Sequence, residues 1–221
     1  MIMFNGFNKK TIEILDSLKF NNNKPYYNSI KEKYTENVTK PLKLLSEDLI
    51  EVLRDIDIDL VANTRYCVST PFADARFNKA KPIKEYVYLR YRINPQKSSN
   101  VLGYFFDASP EGMKYGLKLY KASPRGVRDI GDELLWENLD VLNALAGKGY
   151  LLTMGGSDEH EERFSKVALN KKEWVKGKDF MLYKKCDIED TFFERALFDK
   201  ISADFCELKN VYYILKDTIV L

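Results

Sequence analysis

The chain has 221 residues, 45% of them hydrophobic and 31% charged, a composition that is typical of globular proteins and argues against intrinsic disorder. Its formal net charge of +2 is too near zero to indicate nucleic-acid binding by itself. The absence of any window of about 18 consecutive apolar residues argues against a membrane span. We predict one domain over residues 1–221, because a single core can serve roughly 250 residues. Three cysteines without C-x-x-C spacing favour the cytoplasm.

The first sixty residues predict helices, because their apolar residues recur at intervals of three and four. A first helix is expected over residues 8–20. A second begins near Pro25, which suits a first helical turn. A third begins at Pro41 and ends near Ile56, and its leucines form an apolar stripe that is typical of a helix packed on a core. Residues 57–61 then predict a short extended segment.

The middle of the chain predicts an antiparallel sheet. Residues 85–93 alternate with period two, which is typical of a half-buried strand. Residues 101–107 and 113–121 predict two further strands. The connections between the three are too short to hold a crossover helix, so we expect a meander. The alternation separates two sets in the first strand: Val87, Leu89, Tyr91 and Ile93 on one face, and Tyr86, Tyr88, Arg90 and Arg92 on the other.

The remainder of the chain predicts mainly helices. We expect one helix over residues 124–147, ended by Gly147, and helical structure over residues 192–215. The shorter segments are predicted to be extended at 151–154, 163–169 and 180–183, and helical at 171–176. The order of helices, strands and helices indicates an α+β fold, in which an antiparallel sheet packs against N-terminal and C-terminal helices.

Positive charge is concentrated in the middle third of the sequence. Residues 63–128 contain thirteen Lys or Arg residues and four acidic residues, so the flanking segments carry a net negative charge. Such an asymmetry is typical of a face that binds anions. It is equally typical of a basic sheet that complements acidic helices, and both interpretations remain open at this point.

The candidate ligand site is a basic turn followed by the polar face of the predicted sheet. Arginine offers a planar fork and lysine a point charge to phosphate or carboxylate, and tyrosines beside them can stack on a base or a sugar. The candidate residues are Asp74, Arg76, Lys79, Lys81, Lys84, Tyr86, Tyr88, Arg90, Arg92, Lys114 and Lys118. The hypothesis is an anion-binding module for a phosphorylated small molecule, with nucleic acid as the second ligand class.

Two other functions are consistent with the same residues. One is a metal-independent enzyme, in which Arg76 and Lys81 stabilise negative charge and Asp74 or a tyrosine moves a proton. The other is a structural or protein-interaction role, with the cations on a solvated face. We expect no metal and no cofactor. His160 is the only histidine, and its acidic neighbours lack the spacing of a metal site.

Nearly the whole chain resembles a known family, and the resemblance is sharp in the first ninety residues. The motifs are F-N-G-F at residues 4–7, N-N-x-x-Y-Y at 22–27 and D-x-R-F-x-K-x-K-P-x-K at 74–84. Together they resemble the bacterial and fungal family called domain of unknown function 2461, whose signature is R-x-x-R-D-x-R-F followed by a lysine-rich turn. The two leading arginines of that signature fall on Thr70 and Ala73 here. The resemblance implies no activity, since none is established for the family.

Overall fold

A computed structural model describes residues 3–62, 66–74, 76, 80–93, 101–120, 123–154 and 180–220. The fold is α+β, as predicted. Its elements in chain order are α1 (Lys9–Phe20), α2 (Lys24–Tyr34), a π-helical turn (Thr35–Thr39), α3 (Lys40–Ile56), a 3-10 turn (Ile58–Leu60), β1 (Val87–Arg92), β2 (Val101–Ser109), β3 (Gly112–Tyr120), α4 (Pro124–Asp132), a π-helical turn (Glu133–Glu137), α5 (Leu139–Gly147), β4 (Leu151–Met154), β5 (Phe180–Cys186), a 3-10 turn (Asp190–Phe193), α6 (Ala196–Glu207) and α7 (Lys209–Val220).

The N-terminal helices begin at the polar residues that cap them. Asn8 accepts a hydrogen bond from the Thr11 amide, and the Thr11 hydroxyl accepts one from the Asn8 amide, which is a reciprocal capping box. Asn23 caps α2, and Pro25 lies in its first turn. These two helices confirm the prediction, because their caps are local signals that the sequence carries directly.

Two predictions of secondary structure were wrong in detail. Residues 57–61 are not extended, because the Asp57 carboxylate accepts a hydrogen bond from the Asp59 amide and folds the chain into a 3-10 turn. Residues 124–147 do not form one helix. A π-helical turn follows α4, and the backbone leaves the helical region at Asn138 (φ −129°, ψ 34°) before α5 begins. Side-chain periodicity alone does not report such interruptions.

Within the described residues, five strands form one antiparallel sheet in the order β1-β2-β3-β5-β4. The predicted meander of β1, β2 and β3 is confirmed. The two later strands join beside β3, with β5 between β3 and β4. The predicted strand at 163–169, the predicted helix at 171–176 and His160 lie outside the described residues. None of the helices in the described segments has the length and apolar composition needed to cross a bilayer.

One face of the sheet packs against the helices and holds the core. Leu89, Tyr104 and Leu117 are fully buried there, and α1, α3 and α6 contact this face through β2, β1 and β3 respectively. Its buried tyrosines donate hydrogen bonds to the helices: the Tyr91 hydroxyl lies 3.0 Å from Ser46 Oγ, and the Tyr104 hydroxyl lies 3.2 Å from the Phe205 carbonyl. These bonds offset the free-energy cost of burying each hydroxyl.

A buried ion pair lies between the sheet and α6. Asp204 of α6 accepts hydrogen bonds from Lys184 Nζ on β5 (2.7 Å) and from the Tyr115 hydroxyl on β3 (2.8 Å). The Lys184 ammonium also lies 4.5 Å from the centroid of the Tyr150 ring. The cluster satisfies a charge that would otherwise be buried alone, so we assign it to stability and not to ligand binding.

Candidate ligand-binding site

The second face of the sheet carries the side chains that the sequence assigned to a polar surface. Along β1, Tyr88, Arg90 and Arg92 are half-buried, whereas the alternating Val87 and Leu89 are fully buried. The predicted division of β1 into two faces is therefore confirmed. It places the tyrosine and arginines of β1 on the side of the sheet away from α3.

Strand register brings residues from four strands into one row. Tyr88 of β1 pairs with Asp107 of β2, Asp107 pairs with Lys114 of β3, and Lys114 pairs with Lys185 of β5. Directly paired residues have Cβ atoms about 5 Å apart, so their side chains stand beside one another. Two cations, Lys114 and Lys185, are thus direct cross-strand neighbours.

Two further rows place the remaining candidates of the sheet. One row runs from Arg90 through Phe105 and Gly116 to Tyr183. The next contains Arg92, Gly103, Lys118 and Met181, in that order across the sheet. Since a strand rises about 3.3 Å per residue, Lys114 and Lys118 are about 13 Å apart along β3, and Gly116 between them has no side chain.

Arg90 lies close to the sheet surface and does not extend into solvent. Its guanidinium carbon is 4.4 Å from the centroid of the Tyr88 ring and 5.5 Å from that of Phe105. Its Nη1 donates to the Phe106 carbonyl at 3.2 Å and to the Asp107 carboxylate. Only 16% of the side chain is exposed, so Arg90 holds Asp107 in place and is not positioned to contact a ligand itself.

Asp107 is a site residue that the sequence analysis missed. Burial raises its pKa above the usual value of about 4, although the positive charges of Arg90, Lys118 and Lys114 act in the opposite direction. A sequence signal existed, since Asp107 is the only acidic residue in the five strands. The sequence alone does not give its position, because only the register places Asp107 between Tyr88 and Lys114.

A pocket of about 630 Å³ lies at the end of the sheet where β2 turns into β3. Its volume falls within the range of small-molecule sites. The described residues of the lining are Lys19, Glu85, Tyr86, Asp107, Ala108, Ser109, Glu111, Gly112, Met113, Lys114, Lys118, Met181 and Lys185. Three of the predicted candidates, Tyr86, Lys114 and Lys118, belong to this pocket.

Each carboxylate of the lining has a cation of its own. Glu85 pairs with Lys81 at 2.9 Å, Asp107 pairs with Arg90, and Glu111 pairs with Lys19. Lys114 and Lys118 line the pocket from β3, and Lys185 lines it from β5. This part of the described lining therefore has the highest density of cations.

The described ionic groups of the basic turn at 74–84, which are Asp74, Arg76, Lys81 and Lys84, are not part of the pocket lining. Asp74 and Arg76 bind one another in a fork, with Arg76 Nη2 2.6 Å from Asp74 Oδ2, and 80% of the Arg76 side chain is exposed. Lys84 donates to the Thr70 carbonyl at 2.8 Å. Lys81 pairs with Glu85 at the rim. Lys79 lies outside the described residues.

The Asp74–Arg76 pair has a clear electrostatic consequence. Hydrogen bonds from Arg76 lower the pKa of Asp74 to about 2, so this carboxylate is a weak base at neutral pH. A group that is to accept and return a proton is most effective when its pKa lies near the working pH. Asp74 is therefore better suited to a structural contact within the turn than to a role in proton transfer.

Comparison with known proteins agrees with the resemblance seen in the sequence. The family model described as "Conserved hypothetical protein (DUF2461)" matches residues 10–213, from the first turn of α1 into α7. The chain belongs to this family. No curated protein matches it. The family description names no activity, so the function has to be argued from the geometry of the site.

One of the motifs shared with the DUF2461 family has a structural role in this chain. Asn22, from the N-N-x-x-Y-Y motif, accepts from the Ile83 amide at 2.9 Å and donates to the Ile83 carbonyl at 2.8 Å. Ile83 is buried and pairs with Phe72 across the turn. These bonds attach the 74–84 segment to the helical layer. Part of the family's motif pattern therefore serves folding in this chain.

Within the described residues, no group of three histidine, cysteine, aspartate or glutamate side chains converges as a metal site would require. His160 and its acidic neighbours are not among those residues.

Proposed function

We propose that the chain binds a divalent oxyanion, such as the phosphate group of a small metabolite, in the part of the pocket that Lys114 and Lys185 line. The observation that carries this proposal is the direct cross-strand pairing of Lys114 with Lys185. An anion between the two ammonium groups would accept a charge-assisted hydrogen bond from each of them.

The surrounding residues support the same proposal. Lys118 lies farther along β3 on the same face and also belongs to the lining. Gly116 leaves the space between Lys114 and Lys118 without a side chain. A compact phosphate group with three acceptor oxygens fits the reach of flexible lysine side chains better than it fits Arg90, which is held against two rings.

The pocket favours a small ligand over nucleic acid. A long polyanion needs an extended stripe of cations, because its affinity comes mainly from many phosphate contacts. Along the 74–84 turn, Arg76, Lys81 and Lys84 are each engaged with a neighbouring group. The pocket also gives no support to the hypothesis of an enzyme that uses Asp74, Arg76 and Lys81, since none of those three residues lines it.

Thermal unfolding with competing anions tests the proposal. At constant ionic strength, we expect low millimolar phosphate, sulfate and phosphorylated metabolites to raise Tm in a saturable manner, because a ligand that binds only the folded state stabilises it. Chloride should produce no saturable shift. If no oxyanion shifts Tm, or if the shifts grow linearly without saturation, the proposal is contradicted, since exclusion of sulfate from the surface alone gives a non-saturating effect.

Protonation of Asp107 should change the affinity for an anion. We expect sulfate, which stays divalent through the acidic range, to bind more tightly as pH falls through the pKa of Asp107, because the carboxyl then loses its negative charge beside Lys114 and Lys118. The measurement is calorimetric titration with sulfate at several pH values. The Asp107→Asn variant should bind sulfate more tightly at neutral pH and lose the pH dependence. A variant that keeps the wild-type pH dependence would show that another group is responsible.

A further inference from the structure

The pocket places an aromatic ring beside a carboxylate. Tyr86 immediately precedes β1, lines the pocket and is 44% exposed. It lies two residues before Tyr88, which pairs with Asp107 of β2, so Tyr86 and Asp107 are diagonal neighbours, a separation that an aromatic side chain can reach across. Burial raises the pKa of the Tyr86 hydroxyl, and the negative charge of Asp107 acts in the same direction, which agrees with this proximity. The ring and the carboxylate can therefore contact one ligand.

The Asp107 carboxylate is held in place by Arg90 but has acceptor capacity left. The hydrogen bond that reaches it within the described part of the chain comes from Arg90 Nη1 and is accepted by Oδ1, and none reaches Oδ2. The side chain is 34% exposed and lines the pocket. Each carboxylate oxygen has two acceptor sites, so Asp107 can accept at least one hydrogen bond from a ligand.

The lining combines groups that only accept hydrogen bonds with groups that only donate them. Asp107 on β2 and Lys114 on β3 are direct cross-strand partners, and both line the pocket. An ionised carboxylate accepts, whereas a lysine ammonium donates through three N–H bonds, so a lysine that already has a partner still has a donor for a ligand. A hydroxyl group both donates and accepts. Two adjacent hydroxyls of a ligand can therefore bind Asp107 and Lys114 together.

The charges beside Tyr86 favour a neutral ligand group over an ion. An anion placed against the ring would be repelled by the Asp107 carboxylate, whereas a cation would meet the lysine on the next strand. A neutral hydroxyl avoids both repulsions and still receives charge-assisted hydrogen bonds, which are stronger than those between neutral groups. The part of the pocket nearest Tyr86 is thus suited to a polar, uncharged group.

We propose that Tyr86 and Asp107 form a subsite for a neutral hydroxylated ring of the monosaccharide class. One face of the sugar ring packs on Tyr86, and its hydroxyls bind Asp107 and Lys114. A sugar ring suits this arrangement, because its C–H groups form an apolar face for an aromatic ring while its hydroxyls project from the edge. The subsite lies beside the proposed oxyanion position and does not rest on it. Its ligand is a free sugar or the sugar part of a phosphorylated one.

Titration of the isotope-labelled protein, followed by NMR chemical shifts, tests the subsite with glucose, cyclohexanol and glucose 6-phosphate. We expect glucose to bind saturably in the millimolar range. Cyclohexanol has a ring of the same size with a single hydroxyl, so it should bind at least about tenfold more weakly, because hydrogen bonds to charged groups are lost. Glucose 6-phosphate should bind more tightly than glucose if the oxyanion position is also correct.

Two variants locate the sugar. Tyr86→Leu should lower the affinity for glucose about threefold to tenfold through loss of the ring contact. Asp107→Asn keeps the shape of the side chain but loses the charge, so glucose should bind about threefold to tenfold more weakly. The same Asp107→Asn protein should bind sulfate more tightly, which also shows that it is folded. Asp55→Asn, at an exposed position of α3 outside the described lining, is the matched control and should bind glucose like the wild type.

The outcomes separate the sugar subsite from the proposed oxyanion site. If glucose does not bind, or binds no more tightly than cyclohexanol, the subsite is wrong, whatever sulfate does. If Tyr86→Leu and Asp107→Asn bind glucose like the wild type, the sugar lies elsewhere and the subsite is also wrong. If glucose binds as expected but glucose 6-phosphate binds no more tightly and sulfate does not bind, the subsite stands and the oxyanion proposal fails.

Discussion

Gly116→Ala is expected to lower the free energy of unfolding by at least about 3 kcal/mol. Gly116 lies in the middle of β3 with φ +156°, and an added Cβ would overlap the Leu182 carbonyl and come within 2.7 Å of Tyr183 Cα. Both neighbours are backbone atoms of β5, which have little freedom to move without loss of strand pairing. Urea unfolding monitored by circular dichroism measures the change.

Gly147→Ala is the matched control for this substitution. Gly147 ends α5, and an added Cβ would have no neighbour within 4 Å. Alanine is the better helix former, so this variant should be unchanged or more stable by up to about 1 kcal/mol. If Gly116→Ala unfolds at the same urea concentration as the wild type, the close approach of β3 and β5 at this position is not as described.

Lys184→Met should lower the free energy of unfolding by about 2–3 kcal/mol, because it leaves the Asp204 carboxylate buried without its cation. The estimate is at the lower end for a buried pair, since the Lys184 side chain is 18% exposed and the Tyr115 hydroxyl still donates to Asp204. Urea unfolding of the variant and the wild type at neutral pH measures the difference.

The neighbouring residue provides the control. Lys185 follows Lys184 in β5 but points to the opposite face, where it pairs with Lys114. Lys185→Met removes the same charge from an exposed position, so it should change stability much less than Lys184→Met does. Equal losses in the two variants would contradict the assignment of Lys184 to the core and Lys185 to the pocket.

Local sequence patterns were sufficient for much of the fold. The alternation of Val87, Leu89 and Tyr91 identified the buried face of β1, and Asn8 and Pro25 marked the first two helices. These features depend on neighbours within a few residues. The short connections between β1, β2 and β3 left an antiparallel meander as the simple solution, and the structure has it.

The candidate site was only partly predictable, because it depends on contacts between distant segments. Lys185 was not proposed, since nothing in its own strand indicates that β5 lies beside β3 and opposes Lys114. Asp107 lacked a visible role for the same reason. Conversely, Arg76 stood out in the sequence as part of a charge-rich motif, yet it pairs with Asp74 two residues away.

The central claim is that the Lys114–Lys185 pair forms an anion site, and calorimetric titration with sulfate measures it directly. The Lys114→Gln/Lys185→Gln variant should bind sulfate at least about tenfold more weakly than the wild type, since two charge-assisted contacts are lost. The control, Lys31→Gln/Lys33→Gln, removes the same charge from two exposed positions of α2 and should bind sulfate like the wild type. Unchanged sulfate affinity in the Lys114→Gln/Lys185→Gln variant, or an equal loss in the control, would contradict the claim.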